Sequence, residues 1–119
     1  MIIGVGCDII DIRRVKTLIT KYNDKFFDRI FTKKEILYGK SINNVSYFAK
    51  RFSAKEAYAK ATKFGIGRNI SFKDIEVLND KKGAPFFNEH PFQSQNINAF
   101  LSMSDEWPYA ISYIILEKI

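Results

Sequence analysis

From Asn44 to Thr62 the chain contains neither proline nor glycine, and Val45, Phe48, Ala49, Phe52 and Ala59 recur along one stripe at helical spacing. This predicts the longest helix of the protein, the element against which the rest must pack. On an ideal helical wheel Glu56 falls in the middle of that apolar stripe. Burying an unpaired carboxylate costs several kcal/mol or forces its protonation, so Glu56 should meet a cation, either a basic side chain or a metal ion. Lys60, four residues on, offers an ordinary ion pair worth only ~0.3–0.5 kcal/mol if exposed.

Upstream, Ile3, Val5, Cys7 and Ile9 alternate with Gly4, Gly6 and Asp8, a period of two that marks a first strand. The pattern sets the Asp8 carboxylate on the face opposite the aliphatic side chains. Asp11 can cap a following helix whose stripe is Ile12, Val15, Ile19 and Tyr22, while Arg14, Thr17 and Lys21 fall on the other side. This basic ridge is extended by Lys25 and Arg29. Thr32 with Glu35 has capping-box spacing, so a second helical piece starts there and runs toward Tyr38, with Gly39 as its expected end.

Gly65 and Gly67 then mark a loop. Ile75 and Val77, the turn Asp80–Gly83, and Pro85 to Phe87 predict a hairpin. Residues 88–97, with His90 expected at the surface, read as polar connection. Ala99–Met103 and Tyr109–Leu116 read as two strands joined across residues 105–108. One strand, then helices, then several strands predicts an α+β fold: a single domain over residues 1–119, mainly antiparallel sheet packed around one long helix.

The net charge of +6 is unevenly distributed. Residues 1–40 carry nine basic and five acidic groups, residues 41–70 six and one, and residues 71–119 four and seven. Such a surface favours an acidic partner, whether nucleic acid, phosphorylated ligand or acidic protein. The nucleic-acid reading draws on Phe48, Phe52, Tyr58 and Phe64 interleaved with Lys and Arg, but it gives no reason for carboxylates inside apolar patterns. The single cysteine, Cys7, excludes an intrachain disulfide and fits a reducing compartment. The apolar N-terminus lacks a basic leader and carries Asp8, and Tyr109–Leu116 is far short of the ~20 residues of a membrane span, so a cytoplasmic location is expected.

Asp8 and Glu56 together suggest a hard-cation site, since magnesium takes one or two carboxylates and completes its octahedron with water and phosphate oxygens. By periodicity alone Asp8 can equally cap a turn. Arg51, Lys55, Lys60 and Lys63 lie around Glu56 in sequence, where they would neutralise a polyphosphate or form a solvated basic face.

The segments GVGCDIIDIRRV, RFSAKEAYAKA, GIGRNISFKDIEV, KKGAPFF and LSMSDE follow one another in this order. With them the chain resembles the holo-acyl-carrier-protein synthases, the short class of 4′-phosphopantetheinyl transferases, over nearly its whole length. The resemblance implies transfer of 4′-phosphopantetheine from coenzyme A to a serine of apo acyl carrier protein, in support of fatty acid biosynthesis, with release of adenosine 3′,5′-bisphosphate. It further implies Asp8 and Glu56 as magnesium ligands and Lys60 beside the diphosphate. Coenzyme A contacts are implied at Arg51, Lys60, Gly65, Gly83, Pro85, Ser102, Ser104 and Asp105. Arg14, Lys21, Lys25 and Arg29 would dock the acidic carrier protein, and homotrimers would place the active sites between subunits. Where the family has a histidine after the S-x-S strand end, this chain has Asp105, which when ionised accepts hydrogen bonds but donates none. Asp105 is expected either near the metal or turned to solvent, with Ser102 or Ser104 supplying the missing donor.

Overall fold

The alternation of the first strand is realised in β1 (Ile2–Asp11), but its aliphatic side chains are the ones left outside. Ile3, Val5 and Ile9 are exposed, and Gly4 and Gly6 face inward against the long helix. In this computed structural model of residues 1–119, a β-carbon on Gly4 would overlap the Ala61 carbonyl, and one on Gly6 the Ala57 carbonyl. Glycine is required there so that strand and helix backbones can touch.

Asp11 accepts from the Arg13 amide at 2.9 Å and caps α1 (Ile12–Tyr22). A separate short helix, α2 (Asp24–Ile30), was not expected; the chain turns into it through Asn23, whose φ is +48°. Lys25 and Arg29 therefore stand on α2 and do not prolong the α1 ridge. The Thr32–Glu35 capping box opens α3 (Lys33–Ile42), with Thr32 N–H donating to Glu35 Oε1 at 2.9 Å. Gly39 does not end this helix. It packs inside it against the Phe48 and Tyr47 rings, and the end falls at Asn43 in left-handed conformation.

Asn44 caps α4 (Val45–Ala61), and Thr62 closes it. This helix is buried on nearly every side, Lys60 being its one exposed residue. One end packs with Phe26, Phe27, Phe31, Phe48 and Phe52 of the helical core; the other packs with Tyr58, Ile70, Ile75, Val77, Ile114 and Leu116. The hairpin is β2 (Glu76–Asn79) with β3 (Pro85–Glu89), and the last two strands are β4 (Ile97–Glu106) and β5 (Tyr109–Lys118). All pairings are antiparallel, in a three-stranded sheet of order β1-β5-β4 and a two-stranded sheet β2-β3. The α+β expectation holds. No helix is long and apolar enough to cross a membrane.

The segment 88–97 is more structured than its polarity suggests. His90 is half-buried: the Tyr58 hydroxyl lies 2.8 Å from its Nδ1 and accepts from Phe92 N–H at 3.3 Å. Burial pushes the Tyr58 pKa up to about 12 and the His90 pKa below its ordinary 6.5. Unfolded His90 binds a proton more readily than folded His90, so its contribution to stability holds above pH 6.5 and is lost as pH falls below it. Urea unfolding between about pH 7.5 and about pH 5.5 should show that decline, and His90→Gln should flatten the slope.

Candidate active site

Beyond Gly6 on the helix-facing side of β1 stands Asp8, held at backbone and side chain. Ser53 Oγ, on α4, donates to the Asp8 carbonyl at 3.0 Å. Lys60 Nζ donates to Asp8 Oδ1 at 2.9 Å and to the Cys7 carbonyl at 3.2 Å. The Asp8 bond raises the Lys60 pKa. Since Ser53, Glu56 and Lys60 recur at i, i+3 and i+7, α4 presents all three along one line toward β1.

Glu56 is half-buried and forms no hydrogen bond or ion pair within the chain. Burial is the main cause of its raised pKa, and the Asp8 charge adds to it; Lys60 and Arg14 act the other way. Two carboxylates thus share one field over a glycine-cleared floor. No third His, Cys, Asp or Glu completes a metal cluster with them. The donor set suits an oxygen-seeking cation that draws its remaining ligands from water and a substrate.

The expectation of cationic heads on both flanks of Glu56 needs correction. Lys55 turns inward and is fully buried, donating to Glu35 Oε1 at 2.6 Å, to the Ile30 carbonyl at 2.8 Å and to the Phe72 carbonyl at 3.1 Å. Arg51 is 2% exposed; its guanidinium lies over the Tyr47 ring at 3.7 Å and donates to Asn79 Oδ1. Asn79 in turn donates to the Gly83 carbonyl at 2.8 Å, so within one chain Arg51 braces the hairpin turn and presents no open phosphate-binding head. Lys60 remains beside the carboxylates, and exposed Lys63 follows the helix end.

Gly65 and Gly83 occupy loops at φ +73° and +87°, with open space around each, and Pro85 opens β3. Asp105 is a strand residue, not a loop residue, and its carboxylate pairs with Lys50 Nζ at 3.1 Å. It is exposed, the second of the two expected placements, and its partner is Lys50 while Asp8 is paired with Lys60. Ser102 and Ser104 lie on the opposite face of β4, because side chains alternate along a strand. Neither serine replaces a donor beside Asp105 in the same chain. Lys50 and Ser53 went unrecognised in the sequence; their one signal was position on the α4 face that meets the sheet.

Arg14 and Lys21 are exposed on α1, and Arg14 is near enough to Glu56 for its charge to be felt there. Exposed Lys25 and Arg29 flank a groove of about 560 Å³ floored by Leu18, Phe26, Phe52 and Phe72. Phe48, Phe52 and Tyr58 are buried, so the aromatic stripe needed by a nucleic-acid reading is not at the surface.

Residues 4–112 match the model of the 4′-phosphopantetheinyl transferase superfamily. The chain is 45% identical over 120 residues to a holo-[acyl-carrier-protein] synthase of Anaplasma phagocytophilum, covering 98% of each. Its fold is similar to the crystal structure of that enzyme from Neisseria meningitidis, with a TM-score of 0.90, 38% identity, and 99% and 100% of the two chains covered. A Bacillus anthracis holo-(acyl-carrier-protein) synthase in complex with CoA (3′,5′-ADP) gives a TM-score of 0.89 at 37% identity, covering 100% and 99%. Sequence, fold and the paired carboxylates agree: this chain belongs to the 4′-phosphopantetheinyl transferase superfamily, within the family of the holo-[acyl-carrier-protein] synthases.

Proposed function

We propose that this protein transfers 4′-phosphopantetheine from coenzyme A to a serine of apo acyl carrier protein, releasing adenosine 3′,5′-bisphosphate and supplying holo carrier for fatty acid biosynthesis in the cytoplasm. The observation that carries the reading is Glu56, a half-buried carboxylate with no partner in the chain whose proton affinity is raised by burial and by Asp8. That arrangement is unfavourable for the protein alone and favourable for a bound divalent ion. Asp8 and Glu56 would hold magnesium, which when bound supplies Lewis-acid polarisation of the phosphorus and neutralises charge on the leaving nucleotide. Lys60 orients Asp8 and brings a second positive charge to the diphosphate. Ser53, through the Asp8 carbonyl, fixes β1 against α4.

A homotrimer with sites between subunits fits two features. Ile3, Val5, Ile9, Phe100, Ile111 and Tyr113 leave the outer face of the sheet apolar and exposed, a surface of the kind that assembly covers. The proposed coenzyme A contacts also fall at two separate places along α4. Asp8, Glu56, Lys60 and Gly65 gather toward its C-terminal half, while Lys50–Asp105 and Arg51–Asn79–Gly83, with Pro85, attach about 7–15 Å earlier along the axis. Contributions from two chains reconcile that separation, and they let Ser102 and Ser104 on the outer face meet a neighbour's ligand.

Arg14, Lys21, Lys25 and Arg29 would receive an acidic helix of the carrier, with the adjoining apolar groove taking its hydrophobic side chains. Reversing the charges of Arg14 and Lys21 should raise KM for the carrier at least about tenfold and flatten its salt dependence, with coenzyme A affinity nearly unchanged. Equal loss of both affinities would contradict this docking face. The reaction itself is tested by incubating the protein with coenzyme A, magnesium and apo acyl carrier protein. Mass spectrometry should show the carrier gaining one phosphopantetheine unit, and no gain would overturn the reading.

A further inference from the structure

Helix α3 has no part in the chemistry or the carrier docking described above, yet its outer side carries large apolar residues. Leu37 stands 76% exposed near its middle, and Tyr38 and Ile42, one turn apart, are exposed beside it. A lone exposed apolar side chain needs no explanation, but three on one ten-residue helix do. None of the three lines a cavity, so they project from the surface as a convex ridge and do not wall a groove.

The charge around this ridge has one sign. Lys33 and Ser41 lie four residues from Leu37, and Lys34 and Lys40 three, the spacings that make neighbours on a helix surface. Leu37 is therefore ringed by three exposed ammonium groups and a hydroxyl. The one carboxylate of the helix, Glu35, is turned inward and fully buried against Lys55, and it is the only acidic residue from Arg29 to Lys55. Lys33 and Lys34 form no ion pair, and the carboxylate paired with Lys40 is that of exposed Asp24, at 3.6 Å.

These features choose the partner. A second copy meeting this face about a two-fold axis would set lysines against lysines. Nucleic acid would use the lysines but leave the ridge in water. An acidic protein would have to offer a pocket for the protruding leucine, whereas a bilayer needs none. At an anionic leaflet the lysine heads meet lipid phosphates, while their stems and the ridge enter the boundary between headgroups and acyl chains. With ten residues, α3 lies on such a surface and cannot span it.

We propose that α3 is a membrane-surface contact, on which the protein rests weakly and reversibly against an anionic phospholipid leaflet through Leu37, Tyr38 and Ile42 together with Lys33, Lys34 and Lys40. This contact is independent of the transferase reading.

Sedimentation with sucrose-loaded vesicles tests it, comparing equal parts of phosphatidylglycerol and phosphatidylcholine with phosphatidylcholine alone. The wild-type protein should partition onto the anionic vesicles at least about tenfold more strongly than onto the neutral ones, and added salt should release it. Lys33→Gln/Lys34→Gln should lower that partition roughly twentyfold, about a factor of five for each lysine, and Leu37→Asp by at least about tenfold. Melting temperature and the rate of carrier modification in solution should stay unchanged in both variants, because the altered side chains are exposed. No binding of the wild type to anionic vesicles, or equal binding to both kinds, would overturn the proposal. So would full binding by Leu37→Asp, which would reduce the attraction to charge alone. A change of oligomeric size in Leu37→Asp would make the ridge an interface between copies, and a rise in KM for the carrier would make it a protein contact; either result would overturn the membrane assignment.

Discussion

Glu56→Gln lowers the rate of carrier modification by about a thousandfold, and the variant melts no lower than the parent. Losing a metal-borne Lewis-acid contribution of several kcal/mol corresponds to a factor of that order. The stability half of the result follows from the raised pKa of Glu56. A carboxyl whose folded pKa lies above its ordinary 4.5 destabilises the metal-free fold at neutral pH, and the penalty disappears as pH falls through the folded value. The amide keeps the shape and removes the charge, so the penalty goes with it. Asp8→Asn should reduce turnover comparably but without the gain in stability, because Asp8 is paired with Lys60. Steady-state rates and thermal melts without added metal read both halves. Near-normal turnover in Glu56→Gln would remove Glu56 from the metal site, and a melt well below the parent would show that Glu56 serves the fold.

The second large effect lies in stability. Lys55 and Glu35 are both fully buried, and Glu35 also accepts from Val77 N–H at 2.9 Å and from Thr32 N–H. One ion pair thus ties α3, α4 and β2 together, and the Lys55 ammonium reaches the end of α2 through the Ile30 carbonyl. Burial pushes the Lys55 pKa down while Glu35 holds it up. Lys55→Met leaves the Glu35 charge buried without its cation, a loss of about 3–5 kcal/mol, a large share of the ~5–15 kcal/mol available to a small domain. Adding Glu35→Gln should recover part of that loss, since the uncompensated charge is the main cost. Urea unfolding of the two single variants and the double variant measures the coupling. A change under about 1 kcal/mol in Lys55→Met would mean that solvent reaches the site.

How much of this was legible in the sequence depended on whether the signal was local. Asp11, Asn44 and the Thr32–Glu35 box mark helix starts through bonds to amides two or three residues away. The period of two placed Asp8 opposite Ile3, Val5 and Ile9, although those aliphatic residues turned out to face outward. Helix α2 escaped because seven residues give too little periodicity and Asn23 joins it to α1 in a left-handed conformation. Gly39 misled because its packing against Phe48 and Tyr47 overrides its low helix propensity.

The site followed the same division. Glu56 was identifiable because a carboxylate broke an apolar stripe. The directions of Arg51 and Lys55 were not, since α4 is enclosed by helices on one side and strands on the others and has no polar face to orient them. Glu35 carried a complete local explanation as a capping residue, which concealed its role as the counter-ion of Lys55 twenty residues away. Asp105 and His90 likewise took their partners, Lys50 and Tyr58, from distant segments.

The most direct test of the account is calorimetric binding of coenzyme A to the wild-type, Asp8→Asn and Glu56→Gln proteins, each with saturating magnesium and with chelator. Magnesium should tighten binding strongly in the wild type and make little difference in either variant. Equal affinities for all three proteins, indifferent to magnesium, would contradict a metal-linked diphosphate site between these two carboxylates.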